Sequence, residues 1–180
     1  MQRDTELLQQ IRLGEMGAFD VLYERYAVRL LSYIHRFVGD RAAAEDLVQE
    51  VFLAVLKDQS FDCTKEGFAR WVFTVARNRA LNYQRDKKRN ATKLKEFQTL
   101  ARPIESSPAT PRQGLSKGIT QALSKLSPKH QDTLVLKQFG EFSYREIAEI
   151  QGVAEGTVKS RFHFAVRQLR QSLTTRGDNA

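Results

Sequence analysis

Apolar residues recur at helical spacing along almost the whole chain. Over residues 41–57, the run RAAAEDLVQEVFLAVLK sets Leu47, Val48, Val51, Phe52 and Val55 in one stripe. Over 65–89 the same rhythm turns Phe68, Trp71, Val72, Val75 and Tyr83 to one side, and over 155–173 it aligns Val158, Phe162, Ala165, Val166 and Leu169. No stretch alternates as a half-buried strand would. The pattern predicts helices at about 4–13, 17–37, 41–57, 65–89, 115–126, 128–139, 144–151 and 155–173. Local signals agree with it. Gly39 can end one helix and Asp40 can cap the next. Ser127-Pro128 offers an N-cap and a first-turn proline, and Ser143 with Glu146 forms a capping box. Between 91 and 114 the rhythm lapses, and three of the chain's four prolines fall there. The expected fold is all-α: two small helical domains, 1–90 and 115–180, joined by a flexible linker at 91–114.

Charge sharpens this division. The chain of 180 residues carries a formal +8, unevenly spread. Residues 1–69 hold eight cations against twelve carboxylates, whereas 70–90 hold seven cations against one. An acidic segment running into a basic one suits a protein with two kinds of partner. The single Cys63 excludes an intrachain disulfide and fits a reducing compartment. No apolar run is long enough to span a bilayer and the start, MQRDTELLQQ, is polar, so the expectation is a cytoplasmic protein without membrane insertion. Cys63, His35, His130 and His163 lack metal-ligand spacing, and there is no P-loop or carboxylate cluster. Neither catalysis, a cofactor nor a metal is expected.

The most specific pattern is YREIAEIQGVAEGTVKSRFHFAVRQLR. A capped short helix, small Ala148, a break at Gly152 and a longer apolar-striped helix make a helix-turn-helix, whose second helix enters the major groove. At 100° per residue, the face opposite the stripe displays Gly156, Ser160, His163, Phe164, Arg167 and Gln171, with Lys159 and Arg161 on its flanks. Two further features concern the first domain. The outer face of 41–57 carries Asp46, Gln49, Glu50, Lys57 and an anomalous Leu53, which suits either a protein partner or plain solvent. The helix at 65–89 repeats Arg70, Arg77, Arg85 and Lys88 around its outer face, the footprint of a phosphate backbone. The loop before it holds Phe61, which could stack on an unpaired base, while Trp71 reads as core.

These stretches together resemble bacterial sigma factors of the sigma-70 family. AEDLVQEVFLAVL, FARWVFTVARNRALNYQRDKKR and SYREIAEIQGVAEGTVKSRFHFAVRQLR stand in the family's order, across a linker, as in its compact extracytoplasmic-function (ECF) group. The resemblance covers about residues 17–90 and 115–173. It implies a non-enzymatic initiation factor that brings core RNA polymerase to promoter DNA, with the second region in 1–90 and the fourth in 115–180. It implies that Asp46, Leu47, Gln49, Glu50 and Leu53 meet the clamp helices of the polymerase's largest subunit. It places −10 recognition and melting on Phe61, Arg70, Arg77, Asn78, Arg85 and Lys88, and duplex −35 binding on Thr157, Lys159, Ser160, Arg161, His163 and Arg167. An anti-sigma protein is a candidate further partner. The chain departs from the family at Ala154 (usually proline), Phe164 (commonly basic) and Asn82 (frequently aspartate). The competing reading is an ordinary helix-turn-helix regulator with an N-terminal partner-binding domain, which leaves the face around Leu53 and the basic helix unexplained.

Overall fold

The capping signals act as their chemistry requires. Gly39 adopts φ +82° and closes one helix, and the Asp40 carboxylate then accepts the Ala43 N–H at 3.0 Å to open the next. The Ser143 hydroxyl accepts the Glu146 N–H while the Glu146 carboxylate accepts the Ser143 N–H. Ser127 holds the extended N-cap conformation before Pro128, but its hydroxyl meets His130 Nδ1 at 2.8 Å rather than capping the backbone. The computed structural model describes residues 2–58, 61, 67–98, 122–123 and 125–177. Among them lie α1 (Asp4–Arg12), α2 (Gly17–Val38), α3 (Arg41–Lys57), α4 (Phe68–Gln98), α5 (Pro128–Phe139), α6 (Tyr144–Gln151) and α7 (Glu155–Gly177). Ala122 and Leu123 are also helical, within the expected helix at 115–126. The rest of that helix before Ala122, the linker at 99–114, and Cys63 lie outside the described residues.

The largest boundary difference lies at the end of α4, while α4 also starts only at Phe68 and α7 runs on to Gly177. Helix α4 continues to Gln98, so residues 91–98 are helix where linker was expected. The sequence from Lys88 to Gln98 contains neither glycine nor proline and is rich in good helix formers, so nothing in it stops the helix.

Helices α1 to α4 form one bundle around α2, whose Leu22, Leu30, Tyr33 and Ile34 are fully buried beside Val51 of α3 and Val72 of α4. Each such aliphatic side chain contributes roughly 1.5–3 kcal/mol. Helices α5 to α7 bury Val135, Leu136, Ile147 and Val158, with Leu123, Leu126 and Ala165 in a smaller cluster. The two helical halves are packed together. The Phe73 ring meets Phe142 edge-on at 4.9 Å, and one apolar cluster runs through both halves. Helix α4 therefore buries a second face, through Phe73 and Ala76, beyond the stripe that faces its own bundle. Among the described residues no helix is long and apolar enough to cross a membrane.

The turn after α5 is tight. A Cβ at Gly140 would lie 2.6 Å from the Leu136 carbonyl oxygen and collide with the Phe142 ring. Gly140→Ala should destabilise the chain by about 1–3 kcal/mol through overpacking, seen as a lowered denaturation midpoint. An unchanged midpoint would show that the turn gives way freely.

Candidate functional site

Three surfaces of different character sit on this frame. On α3, Asp46, Gln49 and Glu50 are exposed, and Leu53 among them is 51% exposed. Leu47, assigned to this face by the resemblance, is buried at 6% and belongs to the core. Glu50 pairs with Arg79 of α4, which fixes the edge of the face. Beside it runs a groove of about 400 Å³ between α2 and α3, lined by Tyr23, Ala27, Val28, Leu31, Glu45, Val48 and Gln49. Val28 is 73% exposed at its rim. The sequence reading missed this groove, although α2 carries apolar residues beyond a single stripe.

The second surface is α4. Asn78, Arg85 and Lys88 are exposed along it. Arg70 and Arg77 are half-buried and committed within the molecule: Arg70 pairs with Glu149 of α6, and Arg77 Nε lies 2.7 Å from Asp132 of α5. Phe61, read as an available stacking ring, is 7% exposed and lies flat on Trp71, with centroids 4.6 Å apart. Its carbonyl accepts a hydrogen bond from Arg12 of α1. Trp71, itself only partly buried, offers this ring an apolar surface.

The third surface is the helix-turn-helix. Gly152 takes φ +66°, a conformation L-residues disfavour, and the Val153 N–H donates back to the Ala148 carbonyl. This turn sets α7 across α6. Lys159, Ser160, His163 and Arg167 are exposed on α7, and Thr157 is half-buried. The Lys159 ammonium lies 2.8 Å from Glu155, whose hydrogen bond pushes its pKa up and keeps it charged. Ser160 Oγ donates to the Thr157 carbonyl, and Arg161 donates to Gln151 Oε1 at 3.1 Å. Phe164 corrects the helical-wheel reading. It is half-buried, its ring 4.4 Å from His130, because α5 passes closer to α7 than a lone helix reveals. Burial, reinforced by Lys129 and Arg161, pushes the His130 pKa down. Ser160, His163, Phe164 and Arg167 together line a shallow notch of about 380 Å³. Among the described residues no cluster of three or more His, Cys, Asp or Glu is placed to hold a metal ion.

A cationic helix and a helix-turn-helix on one chain define an all-helical DNA-binding protein, which also carries an acid-faced helix with an exposed leucine. The family model for sigma-70 region 2 matches residues 22–90, and that for sigma-70, region 4 matches residues 116–169. The chain is 35% identical to the ECF RNA polymerase sigma factor SigL of Mycobacterium tuberculosis, over 91% of this chain and 93% of that protein. It is 30% identical to the RNA polymerase sigma factor CarQ of Myxococcus xanthus, over 92% of this chain and 95% of that protein. Among solved structures, it is similar to the sigma factor RpoE of Bartonella quintana, with a TM-score of 0.68 and 29% identity over 86% of this chain and 97% of that one. The chain belongs to the sigma-70 family, in its extracytoplasmic-function group. It is a sigma factor, which binds core RNA polymerase and directs promoter-specific initiation. Matches in both halves leave an ordinary regulator unfavoured. Sigma factors in general are not enzymes.

Proposed function

We propose the following division of labour. The exposed residues of α3, Asp46, Gln49, Glu50 and Leu53, dock on the clamp helices of the polymerase's largest subunit, and Leu47 holds that helix in place from behind. The cations and Asn78 of α4, with the segment around Phe61, take the −10 element as it opens. Thr157, Lys159, Ser160, Arg161, His163 and Arg167 take the −35 element as duplex. The observation that carries this reading is the segregation of charge: the outward face of α3 is acidic around a bare leucine, while the outward faces of α4 and α7 are cationic. Carboxylates repel DNA, and cations release its counterions. The domains are 1–90 and 115–180, the chain performs no chemistry of its own, and it works in the cytoplasm. The Bartonella RpoE structure is a complex with the anti-sigma factor NepR. An anti-sigma protein is proposed as a partner of this chain too.

Run-off transcription with purified core polymerase over a promoter library tests this reading, and a transcript should appear only with the chain present. On a promoter so found, Arg161→Ala should weaken capture by about 1–3 kcal/mol if its guanidinium reaches a base. Lys159→Ala should weaken capture of all sequences alike and flatten the salt dependence by about one counterion. Unchanged capture in both variants would remove α7 from the DNA interface.

A further inference from the structure

Helix α1 stands apart from the rest of the first half. The sigma-70 region 2 match begins at residue 22, so α1 lies before it. Yet α1 is firmly seated, with Leu7 and Leu8 buried in the core it shares with α2. At its first turn the Asp4 carboxylate accepts from the Arg25 guanidinium and from the Tyr26 hydroxyl, both of α2. Burial, with Asp4 beside it, pushes the Tyr26 pKa up, so the phenol keeps its proton and remains a donor. A short helix held by two buried leucines, an ion pair and a phenol is tied down, unlike a fraying terminus.

Both ends of α1 meet one row of rings. Tyr26, bonded to Asp4, packs edge-on against Phe68 with centroids 5.1 Å apart. Phe68 lies 5.9 Å from Trp71, and Trp71 carries Phe61 at 4.6 Å. The row then returns to α1, because the Arg12 guanidinium donates to the Phe61 carbonyl. Asp4 seats the helix, whereas Arg12 is exposed beyond the buried face and reaches a residue forty-nine positions on. A cationic donor on a backbone carbonyl makes a strong bond that fixes the main chain and does not involve the ring.

We infer that Arg12 is a positioning residue for promoter opening. It anchors the main chain at Phe61, so that the ring can leave Trp71 for an unpaired base while its backbone stays at the site. The role in opening rests on the proposed −10 role of Phe61; the anchoring does not. Holding the main chain in advance removes part of the ordering cost that binding a base would otherwise carry. A residue needed only for stability would affect every step alike, whereas Arg12 acts on opening and not on −35 capture.

Trp71 is the chain's only tryptophan, so its fluorescence reports on the ring that covers it. Arg12→Ala and Arg12→Lys are compared in the full chain, with circular dichroism and the melting temperature as controls. Iodide quenching of Trp71 is read on the free chain. Closed-complex binding and permanganate reactivity of unpaired thymines are read with holoenzyme on one transcribed promoter. Arg12→Ala should raise the quenching, leave capture as in the wild type and reduce open complex ~10-fold, through loss of one charge-assisted hydrogen bond. Arg12→Lys keeps a cationic donor and should restore shielding and opening together. Wild-type shielding of Trp71 in Arg12→Ala would overturn the anchoring, and an opening defect beside that shielding would place the Arg12 cation on DNA instead. An unshielded Trp71 with full opening would overturn the role in opening. Phe61→Ala then tells which premise failed: full opening there removes the −10 reading of Phe61, and poor opening removes only Arg12. Because Arg12 is exposed, the alanine variant should keep the wild-type fold; if it does not, Arg12→Gln, neutral and shorter, decides on the same readings.

Discussion

Replacing Asp46 and Gln49 together by lysine is expected to abolish core polymerase binding while leaving the fold intact. Both side chains are exposed on α3, away from Val48, Val51, Phe52 and Val55, which fix the helix in the bundle. The exposed face sets Leu53 one turn beyond Gln49 and Glu50, the combination of an apolar anchor and a charged rim that an interface uses. Reversing that rim confronts a complementary surface with like charge, and loss of a hot spot costs about 2–4 kcal/mol. That corresponds to a fall in affinity of roughly 30- to 1000-fold. Titration of core polymerase with the labelled chain measures it, with circular dichroism and the melting temperature as controls. Wild-type affinity in a folded double variant would take the polymerase off this face.

Most of the fold was legible because its determinants are local. Asp40, Gly39, Ser143 and Gly152 each act within a few residues of themselves, and the stripes on α3, α4 and α7 mark the faces that meet their nearest neighbours. What could not be read depends on residues far apart in the chain. Phe73 falls off the α4 stripe because it faces Phe142, a partner sixty-nine positions on. Asp132 reads as an ordinary surface carboxylate until Tyr33 and Arg77 close over it. Phe164 reads as outward on a wheel because a wheel omits α5 and its His130. The same holds for the site. The exposed acids of α3 and the outward residues of α7 follow from periodicity, but the commitment of Arg70 and Arg77 to carboxylates of the other half does not. Phe61 illustrates both sides: an aromatic in a polar loop is visible in the sequence, and its stacking on Trp71 is not.

Phe61→Ala is expected to spare closed-complex capture and to impair strand opening. On the proposed division of labour, capture rests on α7 and on duplex DNA, to which Phe61 makes no contact. Opening depends on holding an unpaired base, and an aromatic stacking surface contributes about 1–3 kcal/mol per base. In the present structure that surface is occupied: the ring lies on Trp71, and Arg12 holds the Phe61 carbonyl. On the proposed −10 role, opening would exchange the indole for a base. The alanine variant also loses packing, since truncating a buried phenylalanine costs about 3–5 kcal/mol of stability, so a second variant is needed. Phe61→Leu keeps an apolar side chain against Trp71 but offers no aromatic face. It should recover most of the melting temperature and still open poorly. The assay is permanganate reactivity of unpaired thymines beside closed-complex binding, with holoenzyme on one promoter. Full opening by Phe61→Leu would reduce Phe61 to an anchor for its loop, and full opening by Phe61→Ala would remove it from the −10 site altogether.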